Sequence, residues 1–196
     1  MNNSPPKQVT IPNAEFLKPD ELRPIQKKHW HNQSSYIKAN SDFYQRHYKG
    51  LKLTGELAEI ADLPFTDKVM LRNEQRTQPP FGSYLAADES KIVRLHRTSG
   101  TSGTAMNLAL TQQDALMTAV VGARAQSASG LSTPHRVVHC LNYQMWMGGY
   151  TDHATLEATG ATTIPFGVGN TKQLVTLIRD LKINAISCTP SYPAVL

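Results

Sequence analysis

The chain has 196 residues, 40% of them apolar and 18% charged, a composition that suits a globular protein with one substantial core. Its net charge of +5 comes from fifteen cations against eleven acids through residue 100 and five against four beyond it. The charges are interleaved and the only adjacent cation pair is Lys27-Lys28, so nucleic-acid binding is not expected.

Residues 1–13, rich in Pro, Asn and Ser, read as a flexible leader. They contain no apolar core for a signal peptide, and no run in the chain reaches bilayer-spanning length, so neither a membrane partner nor an exported protein is expected. The expected compartment is the cytoplasm. Residues 14–90 read as an N-terminal helical region. Pro19 and Asp20 open an amphipathic pattern carrying Leu22, Ile25, His29 and Trp30, with Pro24 tolerated in the first turn. Ser41 or Asp42 can cap a second helix with Phe43, Tyr44, His47 and Tyr48, which Gly50 is suited to end. Thr66 or Asp67 can cap a third through Val69, Met70 and Leu71. His29 and His31 flank Trp30 on different helical faces and do not make a metal pair.

Residues 91–196 change character and alternate strands with helices, which predicts an α/β nucleotide-binding subdomain. Ile92 to His96 is a strand leading into a loop, and Met106 to Leu110 is a strand leading out of it. Thr111 can cap a helix from Gln112 to about Ser129 that presents Leu116, Ala119, Val120 and Ala123 on one face, with Gly130 as its stop. A buried strand over Val137 to Leu141 follows, then a helix from about Asp152 to Thr159 and a strand from Ala161 to Ile164. Asn170 or Thr171 caps a further helix with an apolar stripe of Leu174, Leu177, Ile178 and Leu181, and Asn184 to Cys188 forms the last strand. Successive β-α-β units predict parallel pairing. Cys140 and Cys188 lie in apolar strand runs without a Cys-x-x-Cys pair and read as buried free thiols, with no metal ligation.

The loop between the first two strands is the most informative stretch. Thr98-Ser99-Gly100-Thr101-Ser102-Gly103-Thr104 carries five hydroxyls and two glycines, whose positive φ lets successive amides converge on an anion. It is not the Walker phosphate loop, because Thr104 follows the last glycine and a strand follows the loop. Read alone, such a cluster between two strands is more often an ordinary surface turn.

With its neighbours, the loop resembles that of adenylate-forming enzymes, specifically the phenylacetate-coenzyme A ligase group. Thr98 to Gly103 is similar to the group's Ser-Ser/Thr-Gly-Thr-Thr/Ser-Gly phosphate loop. Asp62-Leu63-Pro64-Phe65-Thr66-Asp67-Lys68 with Leu71-Arg72 resembles its DLPFTTK...LR signature. Asn142-Tyr143 through Gly148-Gly149 with His153, then Ile164 to Gly167 with Gly169-Asn170-Thr171, then Thr189-Pro190-Ser191-Tyr192 are similar to three further blocks in the same order. One departure is Thr104-Ala105 where the family has Lys-Pro, which removes a cation from the phosphates.

The resemblance implies an α/β fold, a helical region followed by a mixed or parallel sheet, as an incomplete large domain. It implies a ligase that joins a carboxylic acid, aryl or arylacetic, to AMP and passes the acyl group to coenzyme A, with ATP and Mg2+. It assigns Thr98, Ser99, Gly100, Thr101, Ser102, Gly103 and Thr104 to the phosphates, and Tyr143, Met145, Trp146, Gly148 and Gly149 to the acyl pocket. Catalytic residues are not assigned, because the family's adenine block, ribose-binding acid, hinge and lysine-bearing C-terminal domain are expected beyond Leu196. The chain is accordingly expected to be inactive alone, to be completed by the rest of a parent polypeptide or by a partner, and to be capable of forming a homodimer. The residues leave open a non-catalytic nucleotide-binding or scaffolding relative, and an enzyme that loads a carrier-protein thiol. The positional argument agrees with the resemblance: ligands of open α/β sheets gather beyond the carboxyl ends of the strands, where Asn142 to Gly149, Pro165 to Thr171 and Thr189 to Tyr192 fall.

Overall fold

The computed structural model describes residues 16–100 and 104–196, so the expected leader and the loop residues Thr101, Ser102 and Gly103 lie outside it. The chain divides into two compact units.

One unit comprises the described part of Pro12–Leu95 with that of Gly100–Thr111. Its helices are α1 (Pro19–Asn40), α2 (Asp42–His47) and α3 (Lys68–Thr77), with a 3-10 turn at Leu57–Asp62. Expected caps form: the Ser41 side chain accepts from Tyr44 N, and Asp67 Oδ1 accepts from Met70 N at 2.8 Å. The stripe expected on α1 is not its buried face, since Ile25 and His29 are exposed and the helix buries Ser34 and Ile37. The reason is the partner: α1 packs on α2 near its C-terminal end, where Phe43 and Ser41 are buried. Strands β1 (Ile92–Arg97) and β2 (Asn107–Thr111) form a two-stranded sheet. The Gln75 side chain serves as a surrogate backbone for β2, donating to Asn107 O at 2.7 Å and accepting from Asn107 N at 3.0 Å.

The other unit contains His96–Ser99 and Gln112–Leu196. Its elements are α4 (Gln112–Ala128), β3 (Arg136–His139), α5 (Met147–Ala158), β4 (Thr162–Pro165), α6 (Thr171–Asp180) and β5 (Ala185–Ser187). The strands are parallel in the order β4-β3-β5, with His139 opposite both Pro165 and Ser187. Because side chains alternate along a strand, Val137 joins Leu156 of α5 and Ala161 in one apolar cluster, while Val138 joins Leu174 of α6 in another. Helices α5 and α6 therefore cover opposite faces of the sheet. Asn170 holds a left-handed φ of 49° and accepts from Gln173 N, the cap expected for α6.

Two boundaries and one helix face differ from expectation. Thr111 is the last residue of β2, not a cap, and α4 follows without a break. On α4, Leu116 is exposed while Ala115 and Ala123 are buried, because α4 packs along α5 so closely that a methyl on Gly122 would strike Thr155. Close helix approach favours the small residues over the large one. Finally, α5 begins at Met147, not near Asp152, so Gly148 and Gly149 belong to its first turn. Two glycines disguise a helix start that tertiary packing nonetheless enforces.

Candidate functional site

The topology itself creates a crevice. From β3 the chain passes to α5 on one face, and from β4 it passes to α6 on the other, so the connections diverge at the carboxyl ends of two adjacent strands. Such a switch point is where open α/β sheets take ligands. The Tyr143 ring stands there, lying 3.9 Å from where a side chain on Gly167 would begin.

Hydrogen bonds aim the residues around it. Tyr143 O–H pairs with His153 Nδ1 at 2.8 Å, and His153 Nε2 faces Glu157 Oε1 at 3.1 Å, one turn along α5. Since a carboxylate only accepts, Nε2 carries a proton, and in the neutral ring Nδ1 then accepts from the Tyr143 hydroxyl. Burial pushes the Tyr143 hydroxyl up to about 12, with the charges of Glu157 and Cys140 adding to it, so it stays protonated and able to donate.

Behind the crevice His139 is fully buried. Its Nε2 lies 3.2 Å from Gly148 O and 3.0 Å from Gly149 O, so Nε2 donates and Nδ1 accepts from Ser187 Oγ at 3.0 Å. Burial lowers its pKa and keeps it neutral, outweighing the opposite pull of the Gly149 carbonyl and of Asp152. Asp152, itself partly buried, has its carboxyl pushed upward by desolvation, against the pull of His139. The ring of His139 thus fixes the start of α5 to the ends of β3 and β5.

His96 makes the corresponding joint at β1. Its Nδ1 donates to Met145 O at 3.3 Å and its Nε2 accepts from Thr151 Oγ1 at 2.8 Å, while Arg97 N donates to the same Met145 carbonyl at 2.8 Å. The strand end that leads into Thr98 and Ser99 is stitched in this way to the Tyr143–Gly149 segment. Neither His96 nor His139 stood out in the sequence; the available signal was a histidine at an inward position of an apolar strand, which costs desolvation unless the ring is fully hydrogen-bonded.

Thr98 is half-buried, Ser99 and Thr104 are exposed, and Gly100 has φ +67°, the left-handed conformation that favours glycine. Thr101, Ser102 and Gly103 lie outside the described residues. Tyr143 is half-buried, while Met145 and Trp146 are 47% and 46% exposed, so these two do not pack the core. Gly148 carries the Trp146 ring, which a side chain there would meet at 2.8 Å. Gly149 is buried, and a side chain on it would meet Tyr143 Cα at 2.7 Å. Its bareness therefore admits the chain's own Asn142–Tyr143 backbone on that side. Thr189 and Pro190 precede a 3-10 turn at Tyr192–Val195, and Tyr192 O–H lies 3.2 Å from Thr171 Oγ1.

The chain is 32% identical over 189 residues to phenylacetate-coenzyme A ligase of Thermus thermophilus, which spans 94% of this chain and 41% of that protein. It is 37% identical over 136 residues to the Pseudomonas putida enzyme of the same name, covering 69% of this chain and 30% of that one. Among solved structures, 2-hydroxyisobutyryl-CoA ligase in complex with 2-HIB-AMP and CoA superposes with a TM-score of 0.84 at 26% identity, over 97% of this chain and 42% of that one. An open conformation of that ligase gives 0.83 at 25% identity. No protein-family model matches the chain. The fold is α/β and matches part of the length of these CoA-ligase structures. The chain is phenylacetate-coenzyme A ligase-like, and it spans about two fifths of the length of the Thermus relative.

Proposed function

We propose that the chain is the nucleotide-gripping and acid-gripping part of an ATP-dependent acid–thiol ligase that converts a carboxylic acid to its acyl-adenylate and then to a coenzyme A thioester. The single observation that carries this reading is the double hydrogen bond from the end of β1 to Met145 O, which brings the start of the hydroxyl-rich loop to the segment that flanks the β3–β4 crevice. On this reading Thr98 to Thr104 donate amides and hydroxyls to the β and γ phosphates, and Mg2+ enters with ATP as part of the substrate. Tyr143, Met145 and Trp146 wall a site for a flat aryl or arylacetic acid, with Gly148 leaving room for the Trp146 ring. Attack of the carboxylate on the α-phosphorus places the demand on alignment and charge neutralisation, which fixed amides and hydroxyls supply. The isolated chain is expected to be inactive, and the complete polypeptide to work in the cytoplasm and to be capable of forming a homodimer.

Acid-dependent exchange of pyrophosphate into ATP, measured on a polypeptide that carries this chain together with the remainder of the relatives' length, tests the reading. Exchange with an arylacetic acid is the expected result. Absence of exchange with every aryl and short acyl acid overturns it. Thr104-Ala105 in place of Lys-Pro favours a second reading, a nucleotide-binding relative or scaffold without turnover. Calorimetric titration with ATP and Mg2+ separates a scaffold that binds no nucleotide, and supply of coenzyme A or a carrier protein as acceptor separates the two thiol destinations.

A further inference from the structure

Cys140 and Cys188 are 48 positions apart, yet the sheet sets them side by side. The β3–β5 register pairs Val137 with Ala185, Val138 with Ile186 and His139 with Ser187, so the next step pairs Cys140 with Cys188. Cys140 N donates to Ser187 O at 2.8 Å, which carries the pairing one residue past the end of β3. Residues opposed in a sheet point to the same face, and both sulfur-bearing side chains join one apolar cluster on the α6 side with Val138, Leu174, Phe166 and Tyr192. Adjacent strands lie about 4.8 Å apart, within the range of roughly 4.4–6.8 Å that disulfide-linked Cα atoms span. Because β5 ends at Ser187, the small backbone adjustment that closure needs falls outside the strand.

We propose that Cys140 and Cys188 are a cross-strand dithiol that closes to an intramolecular disulfide by exchange with a small-molecule disulfide of the glutathione class. Cys188, which is half-buried where Cys140 is buried, reacts first. Its thiol loses a proton and the thiolate attacks one sulfur of the reagent, forming a mixed disulfide and releasing one thiol that takes up the proton. The Cys140 sulfur then displaces the second reagent thiol. Two protein thiols are oxidised, one reagent disulfide is reduced to two thiols, and the atoms balance. Burial pushes the Cys140 thiol up to about 11, with Cys188 adding to it, and burial also raises Cys188, so exchange is slow at neutral pH and speeds up as pH rises. Closure links the roots of Leu141 to Trp146 and of Thr189 to Tyr192, the two segments that leave β3 and β5. The inference rests on register and packing alone and is independent of the acid-activation reading.

The test incubates the native chain with excess glutathione disulfide at mildly alkaline pH, then counts free thiols and maps peptides by mass spectrometry without reduction. The expected result is a monomer whose thiol count falls from two to none, with a Cys140–Cys188 linked peptide that dithiothreitol restores. Cys140→Ser is expected to accumulate the glutathione adduct on Cys188, because the resolving thiol is gone. Mixed disulfides on both cysteines without a linked peptide, disulfide-linked dimers, or thiols that react only after denaturation would each overturn the proposal. The mapping on the unsubstituted chain decides the matter even if Cys140→Ser fails to fold.

Discussion

His139 shows how one side chain organises the region. A neutral, buried imidazole bonds Gly148 O, Gly149 O and Ser187 Oγ together, so its removal deletes these bonds and leaves a void beneath α5. We expect His139→Ala to cost about 2–4 kcal/mol, read as a lowered urea midpoint with unchanged slope. The pH dependence has a definite sign. With the folded pKa below the ordinary 6.5, the unfolded chain binds the proton first as pH falls, so the stabilisation is complete above pH 6.5 and is lost below it. Asp152, raised above its ordinary 3.8, acts in the opposite sense at the acid end. The slope of stability against pH below 6.5 should therefore flatten in the His139→Ala protein relative to the parent. Gly149→Ala is the second prediction at this scale. The added methyl would overlap the Asn142 and Tyr143 backbone, and the cost should be about 1–3 kcal/mol by the same denaturation measurement.

Among elements, the 3-10 turn at Leu57–Asp62 shows what a single carboxylate can anchor. Glu59 accepts from Thr54 N at 2.7 Å, Thr54 Oγ1 at 2.8 Å, Gly55 N at 2.9 Å and Trp30 Nε1 at 2.8 Å, tying α1 to the turn. Desolvation is the largest single influence on Glu59 and acts upward, but the four hydrogen bonds together outweigh it and hold the carboxyl at about 2. The sign follows: this contribution is present above the unfolded glutamate pKa of about 4.3 and disappears as pH falls towards 2. Acid titration followed by Trp30 fluorescence in a Trp146→Phe background should show a loss of stability over that range, absent in Glu59→Gln. The caps at Ser41, Asp67 and Asn170 were legible from the chain because each acts through its neighbours two or three residues on. The start of α5 was not, because Gly148 and Gly149 carry no helix preference and the turn is held from outside by the His139 ring.

For the molecule as a whole, the sheet of the second unit separates two apolar clusters, one around Leu156 and one around Leu174. Both leucines are essentially inaccessible, so Leu156→Ala and Leu174→Ala should each cost about 2–5 kcal/mol. Lying on opposite faces, they share no packing partner, and the double variant should lose the sum to within about 0.5 kcal/mol in denaturant titrations. A large excess or deficit would mean that the sheet transmits strain between its faces. The order β4-β3-β5 is also what makes the crevice, since it sends neighbouring connections to opposite sides.

Periodicity and punctuation in the sequence determined the alternation of strands and helices from Lys91 onward, the parallel pairing, most of the caps, and the hydroxyl-glycine loop with its ordered companion blocks, because all of these depend on interactions within a few residues or on a pattern repeated along the chain. Only the tertiary structure decided which strand lies between the others, which face of α4 is buried, what Gly149 makes room for, and that His96, His139 and Ser187 hold the segments of the candidate site together. Those outcomes depend on pairing between residues some fifty positions apart, such as His139 with Ser187 and His96 with Thr151, and register across a sheet leaves no trace in the spacing of either strand alone.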